Sequence, residues 1–366
     1  MKNFDVAVVG GGVMGCSTAL YLSRNQMRTI IIDSGALCSE ASGTNAGTLT
    51  LNMTRAALIP YAIKGWELWN STEKWLHSSI GTRKVNGLSL AFTEEEEELL
   101  YDRVQARQAM GAPIKLISGK KAQRLEPGLN NSVRSAAWCA KDGFTSAYLT
   151  GHAFKRALTQ ENSAVMEYSK VKGIENDKNN FKIYLENNEH LIAKRIVLAG
   201  GVWLEDMLNW LNVKIPIKCL INQLIITERM PQVMKTVLSI ANGLLSLKQF
   251  DNGTVMIGGG WQGLGDKERG GVEAIPENLK GNIRLACHVI PELCYGRMVR
   301  VWLGLEAETA DALPVIGNVP GISNAYVIGS VHSGYTSGPY MGWLLSQFIM
   351  GQETEMPLFD PSRLIN

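Results

Sequence analysis

The sequence predicts an α/β protein in which one dinucleotide-binding domain is assembled from three separated stretches and a second, α+β domain fills the gaps. Three observations carry this expectation. An apolar run, Val6-Ala-Val-Val, breaks into Gly10, Gly11 and Gly12 and resumes as Val13, Met14, Gly15, Ala19, Leu20 and Leu22, the pattern of a buried strand turning tightly into a helix. A second apolar strand, 195–199, ends in Gly200 and Gly201 near the middle of the chain. A third, 325–330, precedes a glycine-rich helix start near the end. This order assigns 1–86, 140–213 and 305–366 to the dinucleotide domain and 87–139 and 214–304 to the other.

The opening unit carries the chemistry. Gly10 permits the turn, Gly12 lets backbone approach a pyrophosphate, and Gly15 lets helix and strand pack closely. Unpaired N–H groups of the first helical turn, and roughly half an elementary positive charge at that helix end, face the phosphates. The next strand, Thr29-Ile-Ile-Ile, ends in Asp33. It lies about 20 residues past the glycines, where a carboxylate accepts ribose hydroxyls.

Composition bounds the rest. A chain of 366 residues suits two domains. With 45% hydrophobic and 19% charged residues and a formal net charge of +2, it lacks the basic excess of nucleic-acid binders. Its apolar start is too short to span a bilayer and lacks the flanks of a signal peptide, so a cytoplasmic protein without a transmembrane segment is expected. Cysteines at 16, 38, 139, 219, 287 and 294 include no CxxC pair. Buried thiols in a reducing compartment are expected, with no metal site.

Between the three key stretches the elements follow in order. Residues 38–47 are small and polar and read as a loop crossing a ligand. Residues 54–76 read as helical, with Pro60 starting or kinking the helix. A strand at 85–92 leads to a capping box, Thr93 with Glu96, that opens a helix to about residue 110. The run of glutamates there suits a solvated first turn. A short helix from Ser118 ends before Pro127, Asp142-Gly143 marks a turn, and a helix spans about 148–161. Strands are expected at 164–168, 170–174, 181–185 and 190–193, then a helix at 203–211. Strands at 219–227, 244–249 and 254–257 follow, the last two joined at Asp251-Asn-Gly. A helix at 276–289, strands at 297–303 and 325–330, and a helix at 334–350 complete the chain. Trp261 reads either as a pocket wall or as a core residue.

With these pieces together, the chain resembles the FAD-dependent amino-acid and amine oxidoreductases of the D-amino-acid oxidase type. That group includes glycine and sarcosine oxidases and the flavin β-subunits of heteromeric hydroxyproline, proline and opine dehydrogenases. The resemblance covers nearly the whole chain and rests on 5–15, on Ser42-Gly-Thr-Asn-Ala-Gly47, and on 196–203. It also rests on Thr309-Ala-Asp-Ala-Leu-Pro-Val-Ile-Gly317 and Phe359-Asp-Pro-Ser-Arg363.

The resemblance implies a discontinuous, Rossmann-like FAD-binding domain and an α+β substrate domain carrying an antiparallel sheet. The implied activity is oxidation of the C–N bond of an amino or imino compound by hydride transfer to flavin. The implied alternatives are a glycine or D-amino-acid oxidase using oxygen and a non-catalytic FAD-binding subunit. Gly10, Gly12, Val13, Met14 and Gly15 would hold the pyrophosphate, and Asp33 and Ser34 the adenosine ribose. Ser42, Gly43, Thr44, Asn45, Ala46 and Gly47 would run towards the flavin. Val171 would lie by adenine, and Gly200, Gly201 and Trp203 over the cofactor's middle. His332, Ser333, Gly334, Tyr335 and Thr336 would meet the isoalloxazine. Residues 299–307 contain no cysteine, so non-covalent FAD is expected.

Glu306 stands where D-amino-acid oxidases carry the arginine of a Gly-x-Arg-Pro motif. A carboxylate there attracts a cationic amine and repels a substrate carboxylate, which favours secondary amines such as hydroxyproline, proline, sarcosine or an opine. Arg55 and Arg300 are the candidates for any substrate carboxylate, Tyr335 for a hydroxyl contact, and His332 for a hydrogen bond or proton transfer. The implied partners are the small amine or imino acid, an iron–sulfur or flavin partner subunit, and a hetero- or homo-oligomer.

Overall fold

The computed structural model describes residues 3–177, 180–267, 271–332 and 334–365; Ser333 lies outside the described residues. Two large sheets organise them. The first has the strand order Val315–Asn318, Ala325–Gly329, His190–Leu198, Asn3–Val9, Thr29–Ile32 and Ala164–Met166. Its four inner pairings are parallel, and Val315–Asn318 is an antiparallel edge. Asn180–Leu185 and then Val171–Asp177 add on antiparallel at the start of His190–Leu198. Helices or loops cover both faces, which is why Thr29–Ile32 and 325–329 read as unbroken apolar runs and are buried throughout.

The second sheet runs Met298–Glu308, Lys218–Thr227, Val255–Gly258, Ser246–Gln249, Val237–Ile240, Arg83–Ala91, Ser135–Phe144 and Thr48–Leu49. Ile114–Ser118 also pairs with Ser135–Phe144. All its pairings are antiparallel except Val237–Ile240 with Arg83–Ala91.

Most expected elements are present, and the departures have physical reasons. Pro60 sits in the first turn of the helix Ile59–Trp69, where a missing N–H costs nothing. Thr93 accepts from the Glu96 N–H, and Glu96 reaches back to the Phe92 N–H. Asp142-Gly143 is not a turn: both residues lie inside Ser135–Phe144, and the Asp142 side chain is buried. Residues 190–193 and 195–198 form one strand. The strand expected at 297–303 continues to Glu308. Trp261 donates to the Leu244 carbonyl and packs on Gly281, so it belongs to the second sheet's periphery. Three of the six free cysteines are buried, while Cys294 is exposed.

The ends of the chain meet. The closing helix Gly334–Ile349 packs on Val13–Arg24 through small residues: a Cβ on Gly342 would stand 2.5 Å from Ser17, and one on Gly338 would stand 3.0 Å from Val13. Pro339 falls inside this helix and removes the N–H that would bond the Tyr335 carbonyl. The Trp69 indole N–H fills that place at 2.8 Å. Asp311 and Arg363 join the two carboxy-terminal motifs through two contacts of 2.8 and 3.2 Å. The guanidinium holds the Asp311 carboxyl down at about 2.

Candidate functional site

A cavity of about 430 Å³ is bounded by the carboxyl ends of Asn3–Val9 and Ala325–Gly329, the start of Val13–Arg24 and part of Met298–Glu308. This is the place where an open parallel sheet binds ligands. Gly10 has φ of +109°, and a Cβ there would strike the Ala199 carbonyl oxygen at 2.3 Å. A Cβ on Gly15 would strike the Gly10 oxygen at 2.1 Å, whereas one on Gly12 would meet only the Ser42 hydroxyl at 3.3 Å. Gly10 and Gly15 therefore serve the turn and the strand–helix contact, and Gly12 leaves its side open to the cavity.

Val13, Met14 and Gly15 also line the cavity at the helix start. No side chain of Gly12 can cap this end; instead the Ser42 hydroxyl accepts from the Val13 N–H at 3.0 Å. Asp33 accepts from the N–H of Gly11 at 2.6 Å and of Gly35 at 2.7 Å. Burial raises its pKa against the pull of those two donors. Ser34, Val171, Gly200 and Trp203 line the same cavity. So do Gly201, at φ +57°, and Gly329, at φ +147°, and neither has any atom within 4 Å of where its Cβ would stand.

The loop 41–47 divides its tasks. Ser42 and Asn45 line the cavity. Gly43 fits against the Cys38 carbonyl and Gly47 against that of Thr145. Asn45 accepts from the Gly47 N–H at 2.6 Å, and the Thr44 carbonyl accepts from the Trp302 indole at 2.7 Å. Gly43, Thr44, Ala46 and Gly47 are not among the lining residues. Neither is Thr336, whose hydroxyl holds Thr48 and Thr50 of the neighbouring strand segment.

Charged groups accompany Glu306. Glu306 lines the cavity, and its Oε2 accepts from Asn222 at 2.5 Å and pairs with His332 Nδ1 at 2.8 Å. This carboxylate raises the pKa of half-buried His332. Arg55 Nη2 lies 3.2 Å from Glu308 Oε1, and its buried Nη1 has no hydrogen-bond partner among the described residues. Glu306–His332 and Arg55–Glu308 are the two pairs of this charged group, and of the four residues only Glu306 is among those lining the cavity. Arg300 is not part of it: this side chain is exposed, over the Trp302 ring. Tyr335 lines the cavity, but its hydroxyl bonds Thr150 at 2.6 Å and its ring stacks on Trp69 at 4.7 Å.

Sequence reasoning read 38–47 as crossing a ligand but did not single out Cys38 or Ser330, which line the cavity with φ of +56° each. Left-handed backbone at non-glycine residues leaves no signal in composition. It also missed Asn222, whose partnership with Glu306 exists only because Lys218–Thr227 pairs antiparallel with Met298–Glu308.

The donor set suits FAD. A helix start with no cap from its own Gly12 side and one N–H on Ser42, open-sided glycines at 12, 201 and 329, and a carboxylate at the end of the second strand form a cradle for a phosphate-linked dinucleotide.

Comparison with known proteins agrees. The chain is 25% identical to a glycine oxidase of Geobacillus kaustophilus, covering 97% of this chain and 95% of that protein. It is 26% identical to an opine oxidase subunit of Rhizobium meliloti, covering 92% and 90%. The crystal structure of glycine oxidase from Geobacillus kaustophilus superposes with a TM-score of 0.91 over 100% of both chains at 23% identity, a likeness of fold. Among the described residues no helix is long and apolar enough to cross a membrane. The DAO family model, for FAD dependent oxidoreductases, matches residues 5–348, and the chain belongs to that family of flavoenzymes.

Proposed function

We propose that this flavoenzyme oxidises the C–N bond of a secondary amine or imino acid, with Glu306 and His332 at the nitrogen and Arg55 at the carboxylate. The observation that carries this reading is the bridged carboxylate: Glu306 Oε2 held between Asn222 and His332 at the cavity wall. The segments 1–86, 140–213 and 305–366 are read as the cofactor-binding domain and 87–139 and 214–304 as the substrate domain. Gly10, Gly12, Val13, Met14 and Gly15 would hold the pyrophosphate, with Ser42 and Asn45 alongside. Asp33 and Ser34 would hold the ribose, Val171 the adenine side, and Gly200, Gly201 and Trp203 the middle. Non-covalent FAD, when bound, supplies the hydride acceptor.

The residues of the chain do the rest. Glu306 attracts the protonated amine, and the Glu306–His332 pair offers its proton a place, since the nitrogen must be neutral before the C–H bond can give up hydride. Arg55 has one nitrogen on Glu308 and a second without a partner among the described residues, which supports it as the cation that would orient a carboxylate. The positive end of the closing helix, where Gly334 and Tyr335 line the cavity, favours negative charge there.

A similar protein named as one subunit of an opine oxidase supports a heteromeric assembly for this chain. Six free thiols agree with a cytoplasmic location. The test is anaerobic titration of the purified holoenzyme with proline, hydroxyproline, sarcosine, glycine, D-amino acids and opines. Bleaching of the visible flavin band by a secondary amine is the expected result. Bleaching by glycine or D-amino acids alone would replace this reading with that of a primary-amine oxidase.

A further inference from the structure

We infer that Asp142 is a positioning residue for substrate binding, setting the turn that presents Arg55 to the site; this rests on the reading of Arg55 as the carboxylate-binding cation. Asp142 lies in the second sheet and is only 1% exposed. A carboxyl this deep is costly unless its oxygens are satisfied. Besides the Cys139 thiol of its own strand, the donors that satisfy it belong to one foreign segment. Oδ1 accepts from the Leu51 N–H at 2.8 Å, and Oδ2 accepts from the Thr50 hydroxyl at 3.0 Å and the Asn52 amide at 3.2 Å. Gly87 on the adjacent strand makes the room, because a Cβ there would stand 1.9 Å from Oδ2.

The same segment is gripped from its other side. Arg107, buried on the helix Glu94–Ala109, donates Nε–H to the Thr54 carbonyl at 2.8 Å, and the Thr54 hydroxyl closes the turn on the Thr50 carbonyl at 2.6 Å. Upstream, the Thr50 N–H donates to the Thr336 hydroxyl at the start of the closing helix. Residues 50–54 are thus clamped between a buried anion and a buried cation, and Arg55 is the next residue. Its direction towards Glu308 is a consequence of that clamp. An apolar residue at 142 would leave the buried Leu51 N–H and the Thr50 and Asn52 side chains without this acceptor. What the carboxylate adds is a fixed exit angle for Arg55.

The experiment uses holoenzyme and two probes followed by perturbation of the flavin band: trifluoroacetate, a carboxylate without an amine, and methylammonium, an amine without a carboxylate. Asp142→Asn turns one acceptor into a donor facing Asn52. It is expected to raise the trifluoroacetate dissociation constant about tenfold, leaving methylammonium affinity within twofold and FAD content unchanged. Thr50→Val removes one of the clamp's bonds without introducing a new group, and it should move the same constant in the same direction, which keeps the test open if Asp142→Asn does not fold. Equal weakening of both probes, or no change in either, would overturn the inference. Arg55→Ala separates the two claims. If it leaves trifluoroacetate binding intact, the reading of Arg55 fails and this inference with it. If it abolishes binding while the Asp142 and Thr50 variants bind normally, only this inference fails.

Discussion

His332 Nδ1 and Glu306 Oε2 lie 2.8 Å apart although one ends a loop after the last sheet strand and the other sits on a strand of the second sheet. The pair raises the imidazole pKa above its ordinary 6.5. A group whose pKa is raised by folding contributes stability that is fully present below its unfolded pKa and lost as pH rises through the folded value. The pair's contribution to the unfolding midpoint should therefore fall across the neutral to mildly alkaline range. Glu306→Gln should flatten that fall; thermal melts at several pH values decide it, and identical slopes would show that the pair carries no charge.

Substrate choice follows from the same carboxylate. Glu306→Arg should lower kcat/KM for cationic secondary amines about tenfold or more while tightening the inhibition constants of carboxylates that lack an amine. An unchanged ranking of substrates would remove Glu306 from the site.

Two glycines on the cavity should answer differently to alanine. Gly10→Ala drives a Cβ into the Ala199 carbonyl and should cost about 3 kcal/mol, seen as a large loss in melting temperature. Gly201→Ala meets open space and only the left-handed backbone penalty of about 1–2 kcal/mol. Its fold should survive while its ratio of bound FAD to protein falls. Equal FAD content in wild type and Gly201→Ala would place the cofactor elsewhere.

Tyr335→Phe deletes a hydroxyl committed to Thr150, which still donates to the Ser146 carbonyl at 3.1 Å. The expected cost is about 1 kcal/mol, with kcat and KM within twofold of wild type. A selective rise in KM would instead put the Tyr335 hydroxyl in contact with substrate.

Lys248 is buried with its amine donating to the Thr48 hydroxyl and 5.9 Å from the rings of Phe144 and Phe250. Burial pushes its pKa down from 10.5 to about 7. Between those values the unfolded chain binds more protons, so this group makes stability rise with pH. Lys248→Met should remove that rise and lift the melting temperature at pH 7 by a few degrees, about 2–4 °C for each kcal/mol. A variant with the wild-type pH slope would mean that the amine keeps its ordinary affinity for protons.

The elements that read most clearly in the sequence are those whose burial is uniform. The run Val6 to Val9 and the strand Thr29–Ile32 are apolar because both faces of a parallel sheet are covered, and a one-dimensional pattern records that. Asp142-Gly143 misled because a turn dipeptide and a buried hydrogen-bonding pair have the same composition; the three donors at 50–52 lie about 90 residues away. Val237–Ile240 is only four residues long and gains its place from a parallel pairing with Arg83–Ala91, a contact no local signal announces. The glycines at 10, 12, 15 and 201 were legible at the cavity because their spacing is set by backbone geometry. The difference between Arg55, paired with Glu308, and Arg300, out on the Trp302 ring, depends on side-chain direction.

The packing of Val13–Arg24 against Gly334–Ile349 also has a temporal side. On a ribosome adding about 5–20 residues per second, tens of seconds separate the emergence of the first helix from that of the last. Throughout that interval Ser17 lacks the Pro339 carbonyl and Val13 lacks its cover from Gly338. The nascent chain therefore shows an apolar helix face and an unfinished pocket until residues 334–349 are made. Loading with FAD is expected only after that point, and a chain stopped short of this helix should be a client for chaperones rather than a flavoprotein.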